Sequence, residues 1–340
     1  MGEHMHLPSP RGPLSESLTQ DLAGRPTLSA RTLEAAARLA DGSAGPLTDE
    51  DLQLSLAICY ELHYRGFDGV DEDWEWDPEL IRVRSGLEQL HLSGLRGLVG
   101  PVPVTDEPID RQLAAAIAED DGPSLARYMA REGTLEQWRE YLTLRSVYHL
   151  KEGDPHTFAI PRLSGAAKAA MVEIQADEYG GGSATRMHSE LFAGLLRDLG
   201  LDSTYGALWE DAPAAAFAHV NTMSLFGLHR RWRGAALGHL ACVEMTSSEP
   251  SRRYSAGLRR LGFDESTRVF YDEHVEADAV HEQIASVDMC GSLVAADPAL
   301  AADVLFGARC ALAMDGVTAR HLLGAWEAGR SALRREPVAA

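Results

Sequence analysis

A chain of 340 residues with a formal net charge of -20 and a pI near 5.0 presents a surface that repels polyanions, which excludes nucleic acid and disfavours anionic lipid as partners. Hydrophobic residues at 45% and charged residues at 24% fit a soluble globular protein of one large or two ordinary domains. No apolar run reaches the length of a bilayer and no signal-peptide core opens the chain. The four cysteines (Cys59, Cys242, Cys290, Cys310) form no C-x-x-C pair, so buried reduced thiols in a cytoplasmic protein are expected.

Residues 1–30 are rich in Pro, Ser, Gly and Arg without periodicity and read as a disordered tail. Residues 31–133 read as a helical module. Thr32 to Leu39 is a short helix, and Thr48-Asp49-Glu50-Asp51 opens another that runs to about Arg65 and ends at Gly66. Asp77-Pro78 starts a helix to about Leu98, Gly100-Pro101-Val102-Pro103 breaks the chain, and a helix spans about Asp110 to Arg131. This module holds no concentrated chemistry. Glu61 and His63, two apart, face different sides of a helix, and Tyr60, Tyr64, Phe67, Trp74 and Trp76 suit a core or an interface.

The third segment is 134–333. A helix runs from Thr134 to Lys151 or Glu152, and Gly153-Asp154-Pro155 ends it. Ser164 caps a long helical stretch to Leu199 that Gly180-Gly181-Gly182-Ser183 interrupts; three glycines inside a helix cost about 1 kcal/mol each. Helices follow from Asp211-Ala212-Pro213 to about His229 and from Trp232 to Thr246, with a break at Glu249-Pro250. Ser251–Leu261 is short and basic, Ser266–Cys290 is long, Pro298 starts the next helix, and the last covers Thr318 to Leu333. Strand-like alternation is absent, so the fold class is all-α.

The densest chemistry lies between Glu273 and His281. His274, Asp278 and His281 stand at i, i+4 and i+7, one stripe of a helix, and two imidazoles with a carboxylate suit iron, manganese or zinc. A solvated acidic helix with two incidental histidines has the same pattern. Glu178 and His188 flank the glycines ten residues apart, and a local widening of the helix there brings both toward one interior site; a surface Glu and a core His is the plainer account. Glu244 sits in an apolar helical context, Gly238 to Thr246, where a carboxylate needs an arginine or a metal opposite it. Together three helices offer three carboxylates and three imidazoles, a set suited to two irons in a helical bundle.

On these motifs (Asp177-Glu178-Tyr179-Gly180-Gly181-Gly182 with His188, then Glu244, then His274-x3-Asp278-x2-His281) the stretch from about Glu136 to Trp326 resembles the haem-oxygenase-like diiron oxidases and oxygenases, the iron-containing redox enzyme family. The resemblance implies a haem-oxygenase-like bundle of about seven core helices that binds no haem, preceded by an N-terminal helical extension like the dimer-forming segment of some members, hence a homodimer. It assigns Glu178, His188, Glu244, His274, Asp278 and His281 as iron ligands. Some members add a carboxylate from the preceding core helix, where Glu152 stands. Others carry a Glu three residues before the second-helix His, a place held here by Thr185.

The expected function is therefore that of an oxidoreductase in specialised metabolism. Two irons would activate O2 through a peroxo-diiron(III) intermediate, drawing on an external electron donor, to N-oxygenate a small amino-acid-like or carboxylate substrate or cleave its C–H bonds. The alternatives are a mononuclear or non-iron metalloenzyme on the same fold, and a non-catalytic helical protein that binds a small ligand. Two basic stretches, His229-Arg230-Arg231-Trp232-Arg233 and Arg252-Arg253-Tyr254 with Arg259-Arg260, form surface ion pairs or supply one arginine to a substrate carboxylate.

Overall fold

Local chemistry starts many of the helices. Asp49 accepts from Leu52 N–H, Asp77 from Glu79 and Leu80 N–H, and Asp264 from Thr267 N–H, while Thr134 and Gln137 cap each other reciprocally. The computed structural model describes residues 5–42 and 45–335, less the side chains of residues 40–42 and 276–280. The helices are α1 (Pro13–Gly24), α2 (Ala30–Gly42), α3 (Glu50–Glu61), α4 (Pro78–Val99), α5 (Ile109–Ala118), α6 (Leu125–Arg131), α7 (Leu135–His149) and the single turn α8 (Asp154–Thr157). They continue with α9 (Gly165–Glu178), α10 (His188–Asp198), α11 (Ala214–Leu228), α12 (Arg233–Thr246), α13 (Ser248–Arg260), α14 (Glu265–Gln283), α15 (Ser292–Ala296) and α16 (Ala301–Glu327). A π-helical segment, Ile284–Gly291, joins α14 to α15. Among the described residues no sheet forms, and no helix is long and apolar enough to cross a membrane.

Several expectations are corrected. The segment expected to be a disordered tail contains α1, and residues 1–4 of it lie outside the described residues. Leu14, Leu18 and Leu22 repeat every four residues and are buried, and Asp51 of α3 accepts from Leu14 N at 2.8 Å and Ser15 N at 2.7 Å. A side chain 37 residues away thus caps the helix, a contact that composition does not reveal. The helix expected over Asp110–Arg131 splits into α5 and α6 around Asp120-Asp121-Gly122-Pro123, and α3 ends at Glu61, four residues before Arg65. The break expected at Glu249-Pro250 falls at Ser247, between α12 and α13, and Pro250 lies in the first turn of α13, where a missing N–H costs nothing. A single α16 replaces the two helices expected beyond Pro298.

One apolar core runs through the described chain from Met5 to Ala332. At its centre α11 is buried on every side from Ala214 to Gly227, with α3, α7, α12 and α16 packed around it. The tightest crossing is α12 on α16, where Gly238 lies under the Val304 carbonyl and Gly307 under that of Ala235. All four cysteines are buried and free, and burial pushes the Cys59 thiol up to about 12.

Buried histidines make the fold acid-labile. Burial drives His91 down to about 3 and His156 and His219 to about 4, against an ordinary value of 6.5. The unfolded chain then binds more protons between those values. The neutral rings therefore contribute stability in full above pH 6.5, and it is lost as pH falls toward 4, on the order of a few kcal/mol per ring. Thermal melts are expected to drop steeply over that range, and His91→Gln, which removes one such group, should flatten the slope.

Candidate metal centre

Four helices and one turn deliver the polar cluster. Gly153, at φ 88°, turns the chain after α7 so tightly that a Cβ there would stand 3.3 Å from the Glu178 Cβ, and this sets Glu152 against the C-terminus of α9. The glycine run is not a widened helix. Gly180, Gly181 and Gly182 all take positive φ, and two short 3₁₀ turns separate α9 from α10. Glu178 is the last residue of one helix and His188 the first of the next, and their side chains meet at 3.2 Å (Oε2 to Nδ1). The two residues come together as expected, but by a chain reversal.

Glu152, His188 and His274, all buried, each present a ligand atom within 4.8 Å of the others. His274 Nε2 lies 3.8 Å from Glu152 Oε1, and the rings of His188 and His274 are 4.5 Å apart. The tautomers follow from the neighbours. His274 Nδ1–H donates to the Phe270 carbonyl at 2.6 Å, which leaves the Nε2 lone pair to face the cluster. Arg145 Nε–H donates to His149 Nε2 at 3.1 Å, so His149 Nδ1–H donates to Glu152 Oε1 at 2.8 Å. Burial raises the Glu152 carboxyl, but His149 and then His274 outweigh it and hold it well below the usual carboxylate range. Burial likewise lowers His188, and Glu178 more than compensates.

Glu152 Oε2 is buried without a hydrogen-bond partner, and Glu178 Oε2 and His188 Nδ1, buried 3.2 Å apart, face each other without a well-formed hydrogen bond. Such atoms cost free energy, on the order of 1–3 kcal/mol each. Glu152, His188 and His274, with Glu178 against His188, form an electron-rich hollow that fits a cation, and two carboxylates with two imidazoles are a donor set suited to iron.

A second group lies beside the first. His281 Nδ1 is 3.2 Å from Glu244 Oε2, and its Nε2 is 2.9 Å from Asp177 Oδ2. Burial lowers this imidazole, yet Glu244 and Asp177 raise it to about 9, so it favours the imidazolium form, which donates from Nδ1 to Glu244 and from Nε2 to Asp177. The helical backbone of α14 carries Asp278 between His274 and His281, but the Asp278 side chain lies outside the described residues. Glu152, Glu178, Glu244 and His274 line a common cavity of about 320 Å³.

Sequence reasoning missed His149 and Asp177. Both carried a signal: His149 stands three residues before Glu152, and Asp177 immediately precedes Glu178. It also missed His156, His219 and His239, whose spacing carries no pattern. The basic stretches have structural roles. Arg233 pairs with Asp297 at 3.1 Å, Arg253 pairs with Glu249, and Arg260 Nε donates to the Ala130 carbonyl at 3.0 Å. None of their arginines lines the cavity; Arg145 does.

A family model described as iron-containing redox enzyme, of the haem-oxygenase type, matches residues 139–316. That span is just over half of the chain and includes Glu152, Glu178, His188, Glu244, His274 and His281. The chain belongs to this iron-containing redox enzyme family. Its all-helical architecture is accordingly haem-oxygenase-like, and its chemistry is that of an iron-dependent oxidoreductase. No curated protein matches the chain.

Proposed function

We propose that this family member is a non-haem diiron oxidase or oxygenase that uses O2 on a small amino-acid-like or carboxylate substrate, by N-oxygenation or C–H cleavage. The observation that carries the reading is the buried grouping of Glu152, His188 and His274, each with a ligand atom within 4.8 Å of the others, with Glu178 against His188 and Glu152 Oε2 left without a hydrogen-bond partner. In this reading those four residues hold one iron, and Glu244, His281 and Asp278 hold the other, with Asp177 in reach. Bound iron supplies the electrons and Lewis acidity that O2 reduction needs. The chain's own residues do the positioning: His149 keeps Glu152 ionised and oriented, and the Phe270 carbonyl fixes the His274 tautomer.

Anaerobic titration of Fe(II) into chelator-stripped protein, followed by mixing with O2, tests the reading. Two irons per chain and O2 uptake proportional to iron are expected. One iron per chain would favour a mononuclear enzyme, which the tight Glu152–His188–His274 grouping also suits. Absence of iron uptake would overturn the reading and leave a helical ligand-binding protein.

A further inference from the structure

We infer that the cavity beside the cluster grips its substrate by a carboxylate, held by Arg145 with the hydroxyls of Tyr141, Tyr254 and Tyr271, and that the reacting atom lies several bonds away. The inference rests on reading the Glu152–Glu178–His188–His274 cluster as an iron site.

Among the described residues that line the cavity, Arg145 is the sole lysine or arginine, on a chain whose net charge of -20 repels anions elsewhere. It projects from α7 one turn before His149, and its side chain is 22% exposed. Nε is committed to His149. The nearest carboxylate is Asp315 at 3.3 Å from Nη1, and that side chain is 63% exposed. An ion pair so open to water is screened and worth little, so a substrate carboxylate can displace Asp315 at small cost. Arginine suits the task because its planar fork matches a carboxylate.

Three tyrosines from three helices complete the pole. Tyr141 (α7), Tyr254 (α13) and Tyr271 (α14) all line the cavity, with Tyr141 and Tyr254 stacked at 5.1 Å and Tyr254 and Tyr271 also 5.1 Å apart. Each interacts electrostatically with Arg145, and the Tyr141 hydroxyl interacts with the other two. Burial raises all three phenols above the ordinary range, so they remain protonated donors. Leu240, Val243, Phe270 and Leu312 supply apolar lining between polar groups.

The carboxylate–imidazole cluster adjoins this pole: Arg145 Nε–H donates to His149 Nε2 at 3.1 Å, and His149 Nδ1–H donates to Glu152 Oε1 at 2.8 Å. One imidazole thus separates the guanidinium from the cluster. A substrate carboxylate held by Arg145 leaves the cluster to an atom several bonds further along the substrate. The volume of about 320 Å³ suits a short chain.

Calorimetric titration of the full-length protein with hexanoate, hexan-1-ol and hexylamine, anaerobically with and without Fe(II), tests the assignment. Hexanoate is expected to bind at least about tenfold more tightly than the other two in both iron states. Arg145→Gln should remove that preference, and Tyr254→Phe, which leaves Arg145 and its bond to His149 in place, should weaken hexanoate by roughly threefold. Iron stoichiometry is measured on each protein in parallel. Normal iron uptake with no hexanoate preference overturns the anchor and spares the iron reading. A hexanoate preference without iron uptake does the reverse. Hexanoate binding that persists in Arg145→Gln, or that appears only with iron present, also overturns the anchor. If Arg145→Gln fails to fold, by circular dichroism, Tyr254→Phe decides.

Discussion

His188→Ala and His274→Ala each lose one iron per chain, and Glu244→Gln and His281→Ala lose the other, while the helical circular dichroism of all four stays near that of the parent. This is the expected outcome if the two groups are two iron positions. Each position has few donors, and removing one imidazole takes away a strong ligand and exposes the metal to water. An affinity loss of at least about 100-fold is expected, since even supporting residues around a metal are worth 10–100-fold. Fe(II) should also raise the melting temperature of the parent, because ligand at about a hundred times its dissociation constant stabilises a fold by roughly 2.7 kcal/mol. That increment should vanish in His188→Ala. If Glu244→Gln and His281→Ala retain the parent's iron stoichiometry, their group is not an iron position and the protein is mononuclear.

Gly238→Ala and Gly307→Ala are expected to be among the most destabilising single-methyl additions in the described chain. A Cβ at Gly238 would stand 1.9 Å from the Val304 carbonyl oxygen, and one at Gly307 would stand 2.0 Å from that of Ala235. Both obstacles are backbone atoms within packed helices, so relief requires α12 and α16 to separate. A loss of roughly 3 kcal/mol or more is expected in chemical denaturation. Because α12 carries Glu244, iron uptake at that position should fall together with stability. Gly324→Ala is the control: it lies on the same α16 with nothing within 4 Å, so the better helix propensity should stabilise by about 0.5–1 kcal/mol.

The site residues were legible to different depths. The His274 and His281 stripe follows from helical periodicity, a local property. Glu178 and His188 were legible as a pair, but the mechanism that joins them was not. Whether glycines widen a helix or reverse it depends on positive φ values and on the close approach of Gly180 to the Arg186 backbone, where a Cβ would meet a carbonyl carbon at 2.6 Å. Glu152 could be proposed only by resemblance, since its helix ends three residues earlier and a turn directs it. Arg145 was not legible at all as an anchor. In sequence it is one arginine on a helix, while the clustered arginines at 229–233 and 252–260 look more purposeful and are spent on surface ion pairs and helix ends.

The sequence by itself determined the all-α class, the starts of most helices and the placing of His274 and His281 on one helix. Each depends on interactions within a few residues: a capping side chain, a proline at a first turn, a 3.6-residue repeat. Only the tertiary structure decided that α1 docks instead of trailing, that Glu152 meets His188 and His274, that His281 bridges Asp177 and Glu244, and that Arg145 and three tyrosines line the same cavity as the carboxylates. Those facts arise from groups tens to more than a hundred residues apart in sequence. Their proximity is set by how one buried helix, α11, and the glycine-tight crossing of α12 on α16 fill a shared core. Packing of that kind is a property of the whole set of side-chain volumes, which no local pattern encodes.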